Sequence, residues 1–410
     1  MKFGREIWQI IITKIRLVIV KIYFREIQVY HKNIIPKDDF KIYVCNHRNG
    51  AIDGFVLMNL LGNYKAIVGN NLTKNKFLKF FFGGQIDIFR KAETEDEKRY
   101  NQQQMKYASK LIKEGIPVLV FPEGTSKLGP SLLPIKKGAA FICTEILESM
   151  TDKQKLCIVP IGLHYEAGWQ FRSRAEIHVG EPLVLNKGEG GTLTELTRKI
   201  KGLLETITAN FENNNQQLDG ECIATIVRNQ EVIYSHQEIC RYMAAKKLPE
   251  ELWERYINLK DRFGYKQLRY YHHLYGEKIK LHYITYCLLT PIILIALIIN
   301  ILPITACLFV SVKMADDTNV IALWRILTGA PLFALQFIIY LFSCLYLAES
   351  GLVLLTGYIL ITGLAVLMYD YWRYLSYHII GSKRGKGEIR DYALDLISHF
   401  RKIKLGEMNK

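Results

Sequence analysis

No Cys-x-x-Cys pair occurs among the eight cysteines of this 410-residue chain. That scatter excludes a zinc ribbon or a thioredoxin-like redox motif. Cys287, Cys307 and Cys344 fall in apolar stretches, and the set reads as reduced thiols rather than disulfides. No small-residue cleavage site follows the apolar N-terminus, which Arg5, Lys14, Arg16, Lys21 and Arg25 interrupt, so a secretory signal peptide is not indicated. There is no internal repeat and no recognised nucleic-acid-binding motif, although the formal net charge is +15. Charge itself is missing from the 29 residues between Ile284 and Val312.

What is present points to a membrane. Half of the residues are hydrophobic, concentrated near the N-terminus and between Ile284 and Met368. A strongly basic chain with long apolar runs suits an anionic lipid surface better than nucleic acid. Ile7, Ile11, Ile15, Val18 and Ile22 recur every three or four residues, the period of an amphipathic helix. With basic residues between them, positions 1–34 are expected to form an interfacial helix. Ile284–Val312 would extend roughly 43 Å as a helix at 1.5 Å per residue, more than a hydrocarbon core of ~30 Å requires. Tilt, or a kink near Pro291 or Pro303, would absorb the excess. Leu327–Ala348 is a second span, and Leu352–Met368 a third or an interfacial helix. Six Lys or Arg lie between Lys260 and Lys280, and a second basic cluster runs from Arg373 through Lys383, Arg384 and Lys386. Both would face the cytoplasm, giving two full crossings plus one re-entrant or interfacial segment.

Between Lys41 and about Phe211 the pattern alternates, which predicts an α/β domain. Strands are expected at Lys41–Cys45, Lys65–Val68, Pro117–Phe121, Leu156–Leu163 and Ala175–Val179, with a helix at Glu95–Glu114 closed by Gly115. The polar run Asn213–Gln217 marks the end of this domain. The expected organisation is 1–34 interfacial helix, 35–212 catalytic domain, 213–282 helical connector, 283–370 transmembrane segments and 371–410 basic cytoplasmic tail.

Four blocks carry candidate chemistry. Asn46-His47-Arg48-Asn49-Gly50-Ala51-Ile52-Asp53 follows a predicted strand. A carboxylate there can accept one ring N–H and steady the imidazolium while the other nitrogen takes a proton. Histidine suits the task because it exchanges a proton near neutral pH. Arg90 ends the second block, Gly83–Lys91, and offers a bidentate fork to phosphate. The third is Phe121-Pro122-Glu123-Gly124-Thr125-Ser126. Gly124 permits close backbone approach, while Glu123, Thr125 and Ser126 offer polar contacts to an acceptor. Lys136 and Lys137 open the next helix and suggest an anion site. The fourth holds Val159-Pro160 and Arg172-Ser173-Arg174. Taken singly, each block also fits a structural hydrogen bond or a solvated charge.

Together, in this order, the blocks resemble the glycerolipid acyltransferase superfamily over roughly Val44–Pro182. The similarity is finest to the fungal-type glycerol-3-phosphate/dihydroxyacetone-phosphate acyltransferases, through Ser131–Gly138, Val159–Leu163 and Phe171–Ala175. The resemblance implies a glycerolipid-acyltransferase-type α/β domain with His47 as base and Asp53 as its orienter. Arg90, Glu123 and Gly124 would shape the acceptor-phosphate site. Most of the superfamily separates His and Asp by four residues and carries Ser two after the histidine. Here five intervene, as in the fungal-type branch, and Asn49 stands for the serine.

The expected activity is acyl transfer from acyl-CoA or acyl-carrier protein to glycerol-3-phosphate or dihydroxyacetone phosphate in phospholipid biosynthesis. No metal or cofactor is expected beyond the acyl thioester donor. Neither serine nor cysteine adjoins His47, so no acyl-enzyme is implied. The alternatives are acylation of lysophosphatidic acid and a non-catalytic membrane scaffold. The protein is expected to be integral to a membrane, with its catalytic domain facing the cytoplasm.

Overall fold

The computed structural model describes residues 2–37, 40–62, 64–74, 78–79, 82–269, 279–380 and 386–408. The chain divides into two compact units: Met1–Asn210 with Thr318–Leu323, and Phe211–Asp317 with Trp324–Lys410.

The first unit is a mixed α/β sheet. Its strands are β1 Phe24–Tyr30, β2 Phe40–Cys45, β3 Lys65–Gly69, β4 Ile86–Ile88, β5 Val118–Val120, β6 Leu156–Tyr165, β7 Ser173–Val179 and β8 Leu183–Leu185. The order is β1-β7-β6-β2-β5-β3-β4, with β8 also paired to β6. From β6 through β2, β5 and β3 to β4 all pairings are parallel, while β7 and β8 run antiparallel to β6. All five expected strands are present. A helical reading had covered β1, but Phe24–Tyr30 pairs with β7 in parallel. Its β-branched and aromatic residues suit a pleated surface, and the Tyr30 ring stacks on His178 at 4.5 Å.

The helices of this unit are α1 Lys2–Tyr23, α2 Ile52–Leu61, α3 Glu95–Lys113, α4 Gly138–Ser149 and α5 Leu193–Ile207. α3 starts where Thr94 and Glu97 form a reciprocal capping box, and it ends before Gly115 at φ +81°. Leu111 and Ile112 of α3, Ile142 and Ile146 of α4, and Leu196 and Ile200 of α5 share one core with Ile42, Val118 and Ile158 of the sheet. α1 is two-sided. Ile12, Val20 and Tyr23 are buried, whereas Ile11, Ile15, Val18 and Ile22 are exposed. The stripe read from the sequence thus points outward from this unit. Ile7 belongs to the part of α1 whose side chains are not described.

In the second unit, α6 Asn214–Gln230, α7 His236–Ala244, α8 Glu250–Arg269 and α12 Lys386–Met408 pack as a helical bundle. Tyr256, Tyr392, Leu396 and Phe400 are buried. Asp219 accepts hydrogen bonds from the Tyr256 and Tyr265 hydroxyls, both at 2.8 Å. The expected basic tail is therefore a packed helix, tied to α8 by Arg255–Asp395 at 2.6 Å. Lys278 of the first basic cluster, and Lys383 and Arg384 of the second, lie outside the described residues.

The apolar helices are α9 Ile279–Ile299, α10 Ile301–Met314 and α11 Ile321–Ile380. Thr318–Leu347 and Glu349–Ser376, with mean hydropathy 1.9 and 2.2, are long and apolar enough to cross a membrane. Tyr283–Ile299 and Ile301–Met314 form a pair bent by 74°. The bend falls at Asn300, three residues before Pro303. Pro303 sits in the first turn of α10, where a missing N–H costs little. Asn300 compensates the interrupted helix: its Nδ2 donates to Ala296 O at 2.9 Å and Thr362 Oγ1 at 3.1 Å. Its Oδ1 accepts from Gln336 at 3.1 Å and Tyr358 at 3.3 Å. Backbone groups freed in an apolar setting need such partners.

Candidate active site

The first three blocks follow the carboxyl ends of parallel strands: His47 after β2, Arg90 after β4 and Glu123 after β5. Ligands in open α/β sheets bind at that edge. The turn after β2 is pinned by Asn46, whose Nδ2 donates to Leu163 O at 2.9 Å while its Oδ1 accepts from Leu163 N at 2.6 Å. The next residue, His47, stacks its ring on Phe121 at 4.2 Å.

His47 Nδ1 and Asp53 Oδ2 are 2.8 Å apart. Gly50 makes the five-residue spacing workable. At φ +55° it occupies the left-handed region, and its carbonyl accepts the Asp53 N–H at 3.2 Å. This tight turn returns Asp53 to His47. Asp53 also accepts from Arg48 N at 2.7 Å, Asn49 N at 3.0 Å and the Tyr165 hydroxyl at 2.6 Å. A carboxylate with four donors is held as an acceptor only, so Nδ1 of His47 carries the hydrogen and Nε2 is left to take a proton. Tyr165 is fully desolvated beside Asp53, and both effects push its phenol well above the ordinary range. It therefore stays a donor.

Glu123 departs from its expected role. Its Oε1 accepts from His47 N at 2.7 Å and its Oε2 from Leu133 N at 2.7 Å, and the residue is 2% exposed. Burial raises its pKa, partly offset by those N–H donors and by the nearby Arg48 charge. Both oxygens are spent on the backbone, so Glu123 braces the His47 turn rather than facing an acceptor. Lys127 N adds a bond to His47 O at 3.0 Å. Cys45 is buried, and desolvation with nearby Asp53 and Glu123 pushes its thiol far up, which leaves no thiolate nucleophile there.

His47, Arg90 and Gly124 line one cavity of about 780 Å³, whereas Glu123 and Thr125 do not. Thr125 is exposed on its turn. Two glycines lie beside cations, of which Arg90 lines the cavity and Lys136 does not. A Cβ on Gly69 would lie 2.6 Å from Arg90 Nε, and one on Gly124 would lie 2.6 Å from Lys136 Nζ. The stems of Arg90 and Lys136 therefore cross backbone that only glycine leaves open. Desolvation lowers the Arg90 pKa, but a guanidinium remains a cation. Neither cation has an ion-pair partner among the described residues. The rest of the lining includes Ile12, Phe55, Met58, Leu72 and Phe82, an apolar wall.

The fourth block is structural here. Arg174 pairs with Glu26 at 3.3 Å and Glu166 at 3.1 Å, and Arg172 N donates to Tyr23 O at 2.6 Å. Tyr165 lay within that block without a role. Its place two residues after Leu163 on one strand was the available signal.

Residues 26–164 match the Acyltransferase family model. That stretch is an acyltransferase domain. It is 38% identical over 99 residues to "Glycerol-3-phosphate O-acyltransferase 2" of Saccharomyces cerevisiae, which covers 22% of this chain and 13% of that protein. It is 31% identical over 134 residues to a "1-acyl-sn-glycerol-3-phosphate acyltransferase" of Chlamydomonas reinhardtii, covering 32% of this chain and 36% of that protein. Among solved structures, the domain is similar to the 1-acyl-sn-glycerophosphate acyltransferase PlsC of Thermotoga maritima. That match has TM-score 0.38 and 17% identity, and covers 50% of this chain and 82% of that one. The chain thus spans only a fraction of the length of the curated relatives it matches.

Proposed function

We propose that this protein transfers a fatty acyl group from an acyl-CoA or acyl-carrier-protein thioester to a hydroxyl of glycerol-3-phosphate or dihydroxyacetone phosphate. The observation that carries the reading is one cavity lined by an Asp-oriented histidine, His47, and by Arg90, which has no carboxylate partner among the described residues. The acceptor phosphate binds Arg90, with Lys136 beside Gly124. His47 Nε2 takes the hydroxyl proton as the oxygen attacks the thioester carbonyl carbon. The tetrahedral intermediate collapses, the C–S bond breaks, and the leaving thiolate takes the proton back from His47. Asp53 steadies the imidazolium between those steps, which needs no acyl-enzyme. The apolar wall formed by Phe55, Met58, Leu72 and Phe82 receives the acyl chain. The exposed stripe Ile11, Ile15, Val18 and Ile22, with Lys14 and Lys21, seats α1 on anionic lipid, and the catalytic unit faces the cytoplasm.

The Saccharomyces relative is named for glycerol-3-phosphate, which favours the smaller acceptor. The Chlamydomonas relative is named for a 1-acylated one, so lysophosphatidic acid is the second reading. The test is protein purified in detergent, radiolabelled acyl-CoA or acyl-carrier protein, and the three acceptors in competition, with the lipid product identified. Preferential formation of lysophosphatidic acid from glycerol-3-phosphate supports the first reading, and phosphatidic acid the second. No transfer to any acceptor leaves a non-catalytic scaffold.

A further inference from the structure

One part of the catalytic unit comes from far along the chain. Thr318–Leu323 belongs to that unit, although in sequence it separates two apolar helices and reads as a plain connector. Asn319 is 3% exposed, and Ala322 and Leu323 are buried. The Asn319 Nδ2 donates to Ser126 O at 2.6 Å and to Ser126 Oγ at 2.9 Å. The backbone O of Asn319 lies 3.3 Å from the point a Cβ on Gly50 would occupy, as does Val320 Cγ1.

Those contacts fall on the two turns that hold the base. Ser126 precedes Lys127, whose N–H donates to His47 O at 3.0 Å. Gly50 accepts the Asp53 N–H at 3.2 Å and sets the turn between the imidazole and its carboxylate. Asn319 thus grips one turn through its side chain and packs its backbone on the other. An amide is suited to the task, because its NH₂ supplies two donors for a carbonyl and a hydroxyl oxygen. An aspartate of the same size supplies none.

We propose that Asn319 is a positioning residue for acyl transfer, holding the Ser126 and Gly50 turns together so that His47 stays aligned with Asp53 and the acceptor hydroxyl. This rests on the reading of His47 as the base. Small displacements of a catalytic group can cost about 10²-fold in rate. The test uses the full-length chain in detergent, with Asn319→Ala, Asn319→Asp and Ser126→Ala.

Per folded molecule, kcat is expected to fall about 10- to 100-fold in both Asn319 variants. Acceptor KM should stay within about twofold of the parent. Ser126→Ala, which removes one of the two bonds, should lose less, about threefold. Unchanged kcat in both Asn319 variants overturns the proposal. So does a raised acceptor KM at unchanged kcat, which would make Asn319 a binding residue. A second readout does not depend on turnover. Carbethoxylation of His47, followed by peptide mass spectrometry, should run several-fold faster in Asn319→Ala than in the parent. Equal rates overturn the positioning role even if the parent transfers no acyl group, whereas absence of transfer alone counts only against the proposed function.

Discussion

Among its described residues the unit with the α/β sheet holds two buried histidine–carboxylate pairs, and only one of them lines a cavity. His47 and Asp53 lie 2.8 Å apart, and His178 and Glu176 lie 3.3 Å apart. The two histidines are equally buried, each residue 6% exposed. The difference lies in what surrounds each pair. His47 sits in a turn beyond a strand end, lines a large cavity and has its backbone braced by Glu123. His178 lies within β7, two residues from its carboxylate on the same strand, and stacks flat on Tyr30. Distance between imidazole and carboxylate is therefore a poor guide to function. Access to a cavity, and a braced turn beyond a strand end, separate the two.

Four substitutions sharpen this contrast. Asp53→Asn should have the largest effect of the four, about 10²- to 10³-fold on kcat, because an amide no longer steadies an imidazolium. Its Nδ2 would also meet the Arg48 and Asn49 N–H donors. Stopped or quenched-flow turnover at saturating acceptor measures it, and a loss below threefold would remove Asp53 from the mechanism. Arg90→Ala comes next. Acceptor KM should rise about 10- to 100-fold for phosphate-bearing acceptors, with a smaller change in kcat, as initial-rate titrations would show. Tyr165→Phe should lower kcat about 3- to 10-fold by removing one donor to a charged group. Since burial and Asp53 raise the Tyr165 pKa, the phenol stays protonated below its ordinary value of about 10. The parent should then show no alkaline loss of rate from this group up to that pH, and a pH–rate profile checks it. The smallest effect belongs to the comparison pair: His178→Gln should leave kcat within about twofold per folded molecule, despite any change in melting temperature.

Much of the catalytic unit was legible because its signals are local. The Thr94–Glu97 capping box and Gly115 bound α3, and Lys41–Cys45 predicted both β2 and the turn that follows. The Asn46–Asp53 block exposed the candidate base and its carboxylate within eight residues. What escaped was long-range or ambiguous. Glu123 reads as an acceptor contact until its oxygens are seen on His47 N and Leu133 N. Tyr165 reaches Asp53 across 112 positions, and Asn319 reaches Ser126 across 193. No periodicity in one sequence encodes such pairings. β1 was hidden because its apolar residues continue the α1 pattern before turning to period two. The bend among the apolar helices was expected near a proline, or replaced by tilt; it falls at Asn300, three residues before Pro303, where the Asn300 and Gln336 side chains donate to the Ala296 and Ile299 carbonyls.

The most direct test of the central claim is acyl transfer by His47→Ala against the parent, in detergent, with the variant shown to be folded and saturated with donor and acceptor. Loss of a positioned base predicts a fall in turnover of about 10²- to 10⁴-fold. Turnover within a few-fold of the parent would contradict it, and would mean that another group removes the acceptor proton.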